Sequence, residues 1–311
     1  MTIKRDRAPN ADFCYKQEQG KEKQMQKFVI FTDSSSDLPI SLVNELGIKM
    51  VQLTVTLEGE EPKPNDLVNT KEFYDALRTK KTATTSTPSI NDFTEAFEPI
   101  VAEGNDMLYL GFSSGLSGTY NAGAVAAAEL SEKYPDRKIF TVDTLCASLG
   151  QGLLVYSAAK MCENGAEVEE VRDFVENNKL NLCHWFTVDD LFFLKRGGRV
   201  SAATAVMGTM LSIKPVMHVD NAGKLINVEK ARGRKAAIEA LLKNMRDTHT
   251  DIKNQPVFIS HGDCLEDAEY LAARIKDEFG VEVAVIDYVG PVIGAHSGPG
   301  TLALFFYGKQ R

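Results

Sequence analysis

The 311-residue chain lacks several features that would assign it to a functional class at once. No apolar run reaches the roughly 20 residues that a membrane-spanning helix needs. No basic cluster stands out against the net charge of −8, which argues against nucleic-acid binding. The chain has neither a Walker A motif nor a G-x-G-x-x-G fingerprint after a strand, so nothing in it supports a nucleotide site.

Cysteine is also scarce. The five cysteines are an odd number, and no two of them stand at a C-x-x-C spacing. This pattern favours free thiols in a reducing compartment over disulfides or a zinc site, so we expect a cytoplasmic protein. His261 and Asp263 could offer two metal ligands, but Asp263 fits better as a helix cap. We therefore expect neither a metal nor a cofactor.

The composition changes along the chain and predicts a leader and two domains. Residues 1–26 are rich in lysine, glutamine and glutamate and lack the apolar core of a secretory signal, so we expect a disordered or loosely attached leader. In residues 27–180 apolar strands alternate with helices, which predicts an α/β domain with a doubly wound parallel sheet. Residues 181–311 predict an α+β domain with a mixed sheet and a hairpin turn at 221–223.

Small residues are concentrated in four segments, which we predict to be loops or turns, several of them at the carboxyl ends of strands. They are residues 33–37, 84–89, 113–119 and 290–300, and the first three are also rich in hydroxyls. Residues 50–57, in contrast, alternate between apolar and polar side chains and predict one strand. In an open α/β sheet, ligands bind outside those strand ends. Each segment alone could be a helix cap or a tight turn, but four together predict a binding site.

The third of these segments is the most informative, and it supports two interpretations. It lies between an apolar strand and an alanine-rich helix, where hydroxyls and backbone N–H groups favour an anion. It also contains G-x-S-x-G from Gly111 to Gly115, the pattern of a hydrolase nucleophile elbow, and Ser113, Asp143 and His296 follow the Ser–Asp–His order of α/β-hydrolases. Glycines after Ser113 disfavour the helix that such an elbow needs, so a serine hydrolase stays the alternative.

Two further residues are candidates for an anion site. Arg199 follows two glycines and suits bidentate contact with a carboxylate or a phosphate, although an exposed hairpin tip would also suit it. His296 lies in a segment with four glycines and two prolines, which impose an unusual backbone path. We therefore expect His296 to be positioned for function.

In this order and spacing, the motifs resemble those of the DegV family of bacterial proteins. The resemblance covers nearly all of the chain beyond the leader, and one departure is Thr87, where the family often has glutamine. The matching segments are Phe31–Ser34, Thr85–Ser89, Ser113–Tyr120, Leu191–Ser201, Lys214–Pro215 and Gly290–Gly300.

The resemblance implies a two-domain fold with a long-chain fatty acid bound between the domains. Some members of the family are the acyl-carrying subunit of bacterial fatty acid kinase; they present the lipid to a catalytic subunit and are not themselves enzymes. A small-molecule phosphotransferase is the third possibility, since the fold resembles that of dihydroxyacetone kinase. Onto this chain the resemblance carries carboxylate binding at Thr85, Ser86, Ser113 and Ser114, a head-group network at Arg199 and His296, and kinase docking at Arg232.

Overall fold

The computed structural model describes residues 28–201 and 213–311, so the predicted leader lies outside the described residues. The strands are β1 (Phe28–Asp33), β2 (Lys49–Val51), β3 (Thr54–Leu57), β4 (Lys63–Pro64), β5 (Ala83–Ser86), β6 (Asp106–Gly111), β7 (Ile139–Asp143), β8 (Leu182–Thr187), β9 (Ile213–Val219), β10 (Leu225–Arg232), β11 (Phe258–His261), β12 (Val285–Tyr288) and β13 (Leu302–Tyr307). The helices are α1 (Ile40–Glu45), α2 (Thr70–Arg78), α3 (Ile90–Ala102), α4 (Thr119–Lys133), α5 (Leu149–Glu163), α6 (Val168–Asn178), α7 (Leu191–Arg196), α8 (Arg234–Thr248), α9 (Leu265–Phe279) and α10 (Pro291–Ser297).

The first sheet is parallel and has the strand order β2-β1-β6-β7. Its central strand β6 is apolar and buried from Met107 to Leu110, as expected of a strand covered on both faces. One face packs on α3 and α4 through a cluster that contains Phe93, Phe97 and Tyr109. The opposite face packs on α5 and α6. This arrangement confirms the predicted doubly wound sheet.

The second sheet is mixed, with the order β10-β9-β8-β13-β11-β12, and confirms the predicted α+β architecture. Only β11 and β12 pair in parallel among its described strands. Gly223 ends the predicted hairpin turn with a φ of 70°. One face packs with α5 in the core that also contains Phe305, and the other packs on α8 and α9. The predicted domain boundary near residue 180 falls between α6 and β8 and stays a prediction.

A third, small antiparallel sheet, β4-β3-β5, corrects two predictions. Residues 50–57 are not one strand: β2 belongs to the parallel sheet and β3 to the small one. The chain leaves the first sheet at Leu53, whose N–H donates to Ser34 Oγ at 2.9 Å. The hydroxyl-rich segment predicted as a loop contains β5, because its backbone pairs with β3.

The segment 290–300 corrects a third prediction, since much of it is the helix α10 rather than an irregular turn. Pro291 occupies the first turn, where its missing N–H costs nothing and its fixed φ suits a helix. Gly298 then ends the helix with a φ of 77°. Across residues 28–201 and 213–311, no helix combines the length and the apolar character needed to cross a bilayer.

A substitution at Gly150 tests how tightly α5 packs between the two large sheets. A Cβ at this position would overlap His184 Nε2 and lie 2.9 Å from the Phe305 ring. Alanine favours the helix by about 1 kcal/mol, but overpacking a core costs about 1–3 kcal/mol or more. We expect Gly150→Ala to destabilise the fold by about 1–2 kcal/mol in urea titrations, since the clash with a buried imidazole outweighs the propensity gain.

Gly118→Ala is the matched control for this substitution. Gly118 precedes α4 at a φ of −75°, and a Cβ there would have no atom within 4 Å. The free energy of unfolding of the Gly118→Ala variant should therefore stay near that of the unmodified protein. Equal unfolding midpoints for Gly150→Ala and the unmodified protein would contradict the tight packing of α5.

Candidate functional site

A cavity of about 860 Å³, its solvent-open mouth included, lies where the carboxyl edge of the parallel sheet faces the mixed sheet. More than half of the lining residues are apolar: Leu53, Phe112, Leu116, Ala147, Phe186, Leu194, Val219, Leu225, Val289, Val292, Ile293, Ala303 and Phe305. The polar lining residues are Thr85, Thr87, Ser117, Ser148, His184, Arg199, Ser260, His296, Ser297 and Thr301.

Thr85 and His296 meet in the cavity wall. Thr85 belongs to β5 and His296 to α10, and Thr85 Oγ1 lies 2.8 Å from His296 Nε2, within hydrogen-bond distance. Which of the two atoms donates depends on the tautomer of the ring. Both residues line the cavity, so this predicted pair is brought together by the fold.

His296 is uncharged in this site at neutral pH. Burial, together with the neighbouring charges of Arg199 and Arg196, lowers the pKa of His296 to about 4. Removing an imidazolium from water is costly, and two nearby cations add repulsion. The ring therefore acts as a neutral hydrogen-bond partner at pH 7.

Arg199 lies at the end of the cavity that contains Thr85 and His296. The two glycines before it allow the chain to pass close to His296. The Nε–H of Arg199 donates to Leu116 O at 3.2 Å, and a second N–H donates to Gly197 O. A side chain at Gly197 would overlap His296 Nδ1, and Gly198 has a φ of 73°. The Gly-Gly-Arg motif is thus the end of α7 turned against α10, and not a hairpin tip. Burial lowers the pKa of Arg199, but a guanidinium stays protonated in proteins.

Ser113 and Ser114 do not line the cavity, which departs from the predicted carboxylate cradle. The buried Ser113 hydroxyl donates to Gly223 O at 2.9 Å, and the exposed Ser114 donates its backbone N–H to Asp143 Oδ1 at 3.2 Å. The turn hydrogen-bonds to itself, from Ser117 N–H to Ser113 O at 3.1 Å, and this rotates the later residues inward. Leu116 and Ser117 are the residues of the turn that face the cavity.

The alternative serine hydrolase has no assembled triad in this structure. Ser113 is bonded to a backbone carbonyl, and Asp143 Oδ1 accepts from Ser114 N–H and from Leu145 N–H at 3.1 Å. His296 is bonded to Thr85 instead. Helix α4 begins only at Thr119, so the turn is not a nucleophile elbow.

Ser86 and Arg232 lie outside the cavity. Ser86 is exposed and pairs through its backbone with Thr54 in the small sheet. Arg232 is exposed at the end of β10, opposite Ile213. The strand register places this end of the mixed sheet on the side where β13 begins, next to α10. Arg232 is therefore near the His296 end of the protein without being part of the cavity.

Sequence reasoning missed a buried polar cluster behind the cavity wall. Ser148 and Ser260 line the cavity, and their hydroxyl oxygens lie 3.0 Å apart. Ser148 Oγ also donates to Asp37 Oδ2 at 2.5 Å. Burial raises the pKa of Asp37 to about 8. The acidic Asp33–Asp37 turn was a signal for this cluster, but nothing in the sequence paired it with Ser148.

Comparison with known proteins agrees with this architecture. The family model for uncharacterised proteins of the DegV family matches residues 27–309. A DegV domain-containing protein of Clostridium perfringens is 48% identical over 289 residues, which cover 92% of this chain and 99% of that protein.

Two solved structures have the same fold over nearly their whole length. A DegV lipid-binding protein from Thermotoga maritima aligns with a TM-score of 0.78 at 31% identity, covering 92% of this chain and 99% of that one. A DegV family protein from Thermus thermophilus, described by its fatty acid binding, aligns with a TM-score of 0.79 at 31% identity, covering 91% and 99%. Since the family model spans almost all of the sequence and the relatives are covered end to end, the chain belongs to the DegV family.

Proposed function

We propose that this protein binds a long-chain fatty acid, with the tail in the apolar cavity and the carboxylate at Thr85, His296 and Arg199. The observation that carries the proposal is the cavity itself: among the described residues, its lining holds an arginine, two histidines whose pKa values burial lowers, and hydroxyls, and no acidic residue. The ligands named for two relatives, a lipid for the Thermotoga protein and a fatty acid for the Thermus protein, agree with the proposed ligand. An amphiphile with one anionic end matches this lining.

The tail supplies most of the binding free energy. Burying a methylene group contributes about 0.8 kcal/mol, so a chain of about sixteen carbons contributes on the order of 12 kcal/mol before costs. Association costs are estimated at about 4–15 kcal/mol. Over most of this range the gain exceeds the cost, so the apolar wall can hold a lipid, while the polar end determines its orientation.

The carboxylate needs donors, because an unpaired buried anion is costly. Arg199 supplies a charge-assisted bond, and Ser117 adds a hydroxyl in the same wall. If His296 Nε2 carries the proton and donates to Thr85 Oγ1, the Thr85 hydroxyl is free to donate to the carboxylate. We therefore expect the bound lipid to select this tautomer.

The first test measures lipid binding directly. Solvent extraction and mass spectrometry of the purified protein should yield a long-chain fatty acid. Arg199→Met and Thr85→Val should each weaken the binding of added palmitate by about 10- to 100-fold, since hydrogen bonds to a charged group contribute about 1.5–3 kcal/mol.

Ser114→Ala is the matched control, because Ser114 is exposed and lies outside the cavity lining. It should bind palmitate like the unmodified protein. A protein that carries no lipid and takes up neither palmitate nor oleate would exclude the proposed function. A loss for Ser114→Ala equal to that for Thr85→Val would exclude the assigned head-group position.

The charge state of His296 has its own test. Its folded pKa of about 4 lies below the ordinary value of 6.5. The unfolded chain therefore takes up this proton first, and stability falls as the pH drops from about 6.5 towards 4. With an allowance for partial exposure, the lipid-free His296→Gln variant should lose about 1 kcal/mol less stability than the unmodified protein between pH 7 and pH 5. Urea titrations at both pH values measure this, and parallel losses would contradict a neutral His296.

The finer part of the proposal is that the bound lipid is presented to a partner kinase. The kinase would transfer the γ-phosphoryl group of ATP to a carboxylate oxygen, releasing ADP and leaving an acyl phosphate. Two observations support a partner: the sequence carries no nucleotide-binding motif, and the exposed Arg232 lies at the sheet end next to α10. The chain would then be the carrier of the acyl group, not the catalyst.

Arg232→Glu tests this partnership. With a fatty acid kinase catalytic subunit and ATP, acyl phosphate is trapped by hydroxylamine and counted as hydroxamate. The variant should raise the KM for the lipid-loaded protein by about tenfold, because charge reversal at an interface typically costs more than 1 kcal/mol, while palmitate affinity stays unchanged. Lys253→Glu, exposed at the opposite end of the sheet, is the control. Hydroxamate formed without the kinase would contradict the carrier role.

A further inference from the structure

A second cleft adjoins the fatty-acid cavity at its polar end. Its space is about 760 Å³, the open solvent at its mouth included, and it shares Thr85, Arg199 and His296 with the cavity. The remaining lining comes from β5, from the end of α7 and from α10. A group bound at the three shared residues is thus reachable from the cleft as well as from the cavity.

The cleft carries more positive charge than a fatty acid can neutralise. Arg196 and Arg199 both line it, and none of the described lining residues is acidic. Within residues 28–201 and 213–311, neither guanidinium forms an ion pair with a carboxylate. Burial and the nearby charges of Arg199 and Arg196 lower the pKa of His296, so the histidine adds no charge. A carboxylate brings one negative charge to two cations.

Arg196 is held in place although it is exposed. Its guanidinium carbon lies 4.8 Å from the centre of the Phe193 ring, a stacked cation–π contact. Phe193 itself is pressed against Gly298, where a Cβ would lie 2.5 Å from the ring. A guanidinium fixed in this way loses little freedom when it pairs with a phosphate in bidentate geometry. Arg196 is therefore more than a mobile surface charge.

We infer that the cleft is the phosphoryl subsite for an acyl phosphate. The carboxyl group stays at Thr85 and His296, the phosphoryl group lies in the cleft between Arg196 and Arg199, and the two negative charges of the phosphoryl group meet two cations. This inference rests on the proposed fatty acid binding and adds the ligand that the site favours. The protein holds the phosphorylated lipid more tightly than the free acid, and Arg196 accounts for the difference.

The test compares two ligands of equal chain length by calorimetry. One is palmitate, and the other is a long-chain β-ketophosphonate, in which a methylene replaces the labile bridging oxygen of the acyl phosphate. The unmodified protein should bind the phosphonate at least about tenfold more tightly, as expected for a bidentate charge-assisted pair. Arg196→Gln should abolish this preference by weakening phosphonate binding much more than palmitate binding, while Arg196→Lys should keep part of it.

Lys195→Gln is the matched control. Lys195 is an exposed cation one residue away, stacked on Phe192 at 5.4 Å, and it lines neither the cavity nor the cleft. It should leave both affinities unchanged. If Lys195→Gln and Arg196→Gln lowered the preference for the phosphonate equally, general electrostatic attraction would explain that preference. The proposed subsite would then be wrong.

The remaining outcomes separate this inference from the function on which it rests. Binding of neither ligand overturns both. Binding of palmitate without a preference for the phosphonate, or an equal loss of both ligands in Arg196→Gln, overturns the subsite alone. Inorganic phosphate is the third probe: if it binds alone with the same dependence on Arg196, the cleft takes a free phosphate and the lipid-linked assignment is wrong.

Discussion

The hydrogen bond between Thr85 and His296 joins segments that are 211 residues apart, and the rest of the site is built around it. It needs the small sheet, which carries Thr85, to meet the helix that carries His296. That contact is braced from behind, where the buried Tyr74 hydroxyl donates to Val289 O at 2.7 Å and Val292 N–H donates to Asn65 Oδ1 at 3.0 Å. The small sheet is therefore a positioning device: without it, Thr85 would have no fixed place beside the cavity.

Burial explains the electrostatics of the cavity. An anionic ligand is favoured only if nearby acids are neutral, and burial raises the pKa of Asp37, behind the wall, to about 8. At pH 7 this carboxyl is mostly protonated, and its bond with Ser148 places no negative charge beside the lipid. His296 is neutral for the same reason, loss of water. Desolvation thus favours the neutral forms of Asp37 and His296, whereas Arg199 keeps its charge because guanidinium is so strongly basic.

Much of the architecture could be predicted from the sequence, because the spacing of apolar residues identifies long strands and helices. Arg199 and His296 could also be singled out, since each stands in an unusual local pattern, whereas Thr85 is singled out only through the family resemblance. The serine of the 113–119 turn that faces the cavity could not be predicted, because Ser113, Ser114 and Ser117 have the same chemistry and the choice among them depends on hydrogen bonds made by the turn. Short hydroxyl-rich strands such as β5 lack an apolar alternation, so pairing with β3 defines them only in three dimensions.

The motifs that suggested the family are points of contact between distant segments. Gly197 is small because the His296 ring lies against it, and Gly223 is small because the Ser113 hydroxyl fills the place of its side chain. Gly197 and His296 both stand in segments that match the family, whereas Gly223 belongs to the predicted hairpin turn and only its partner Ser113 stands in such a segment. These glycines therefore mark places where distant loops touch. A larger residue at either glycine would push apart the two segments that enclose the polar end of the cavity.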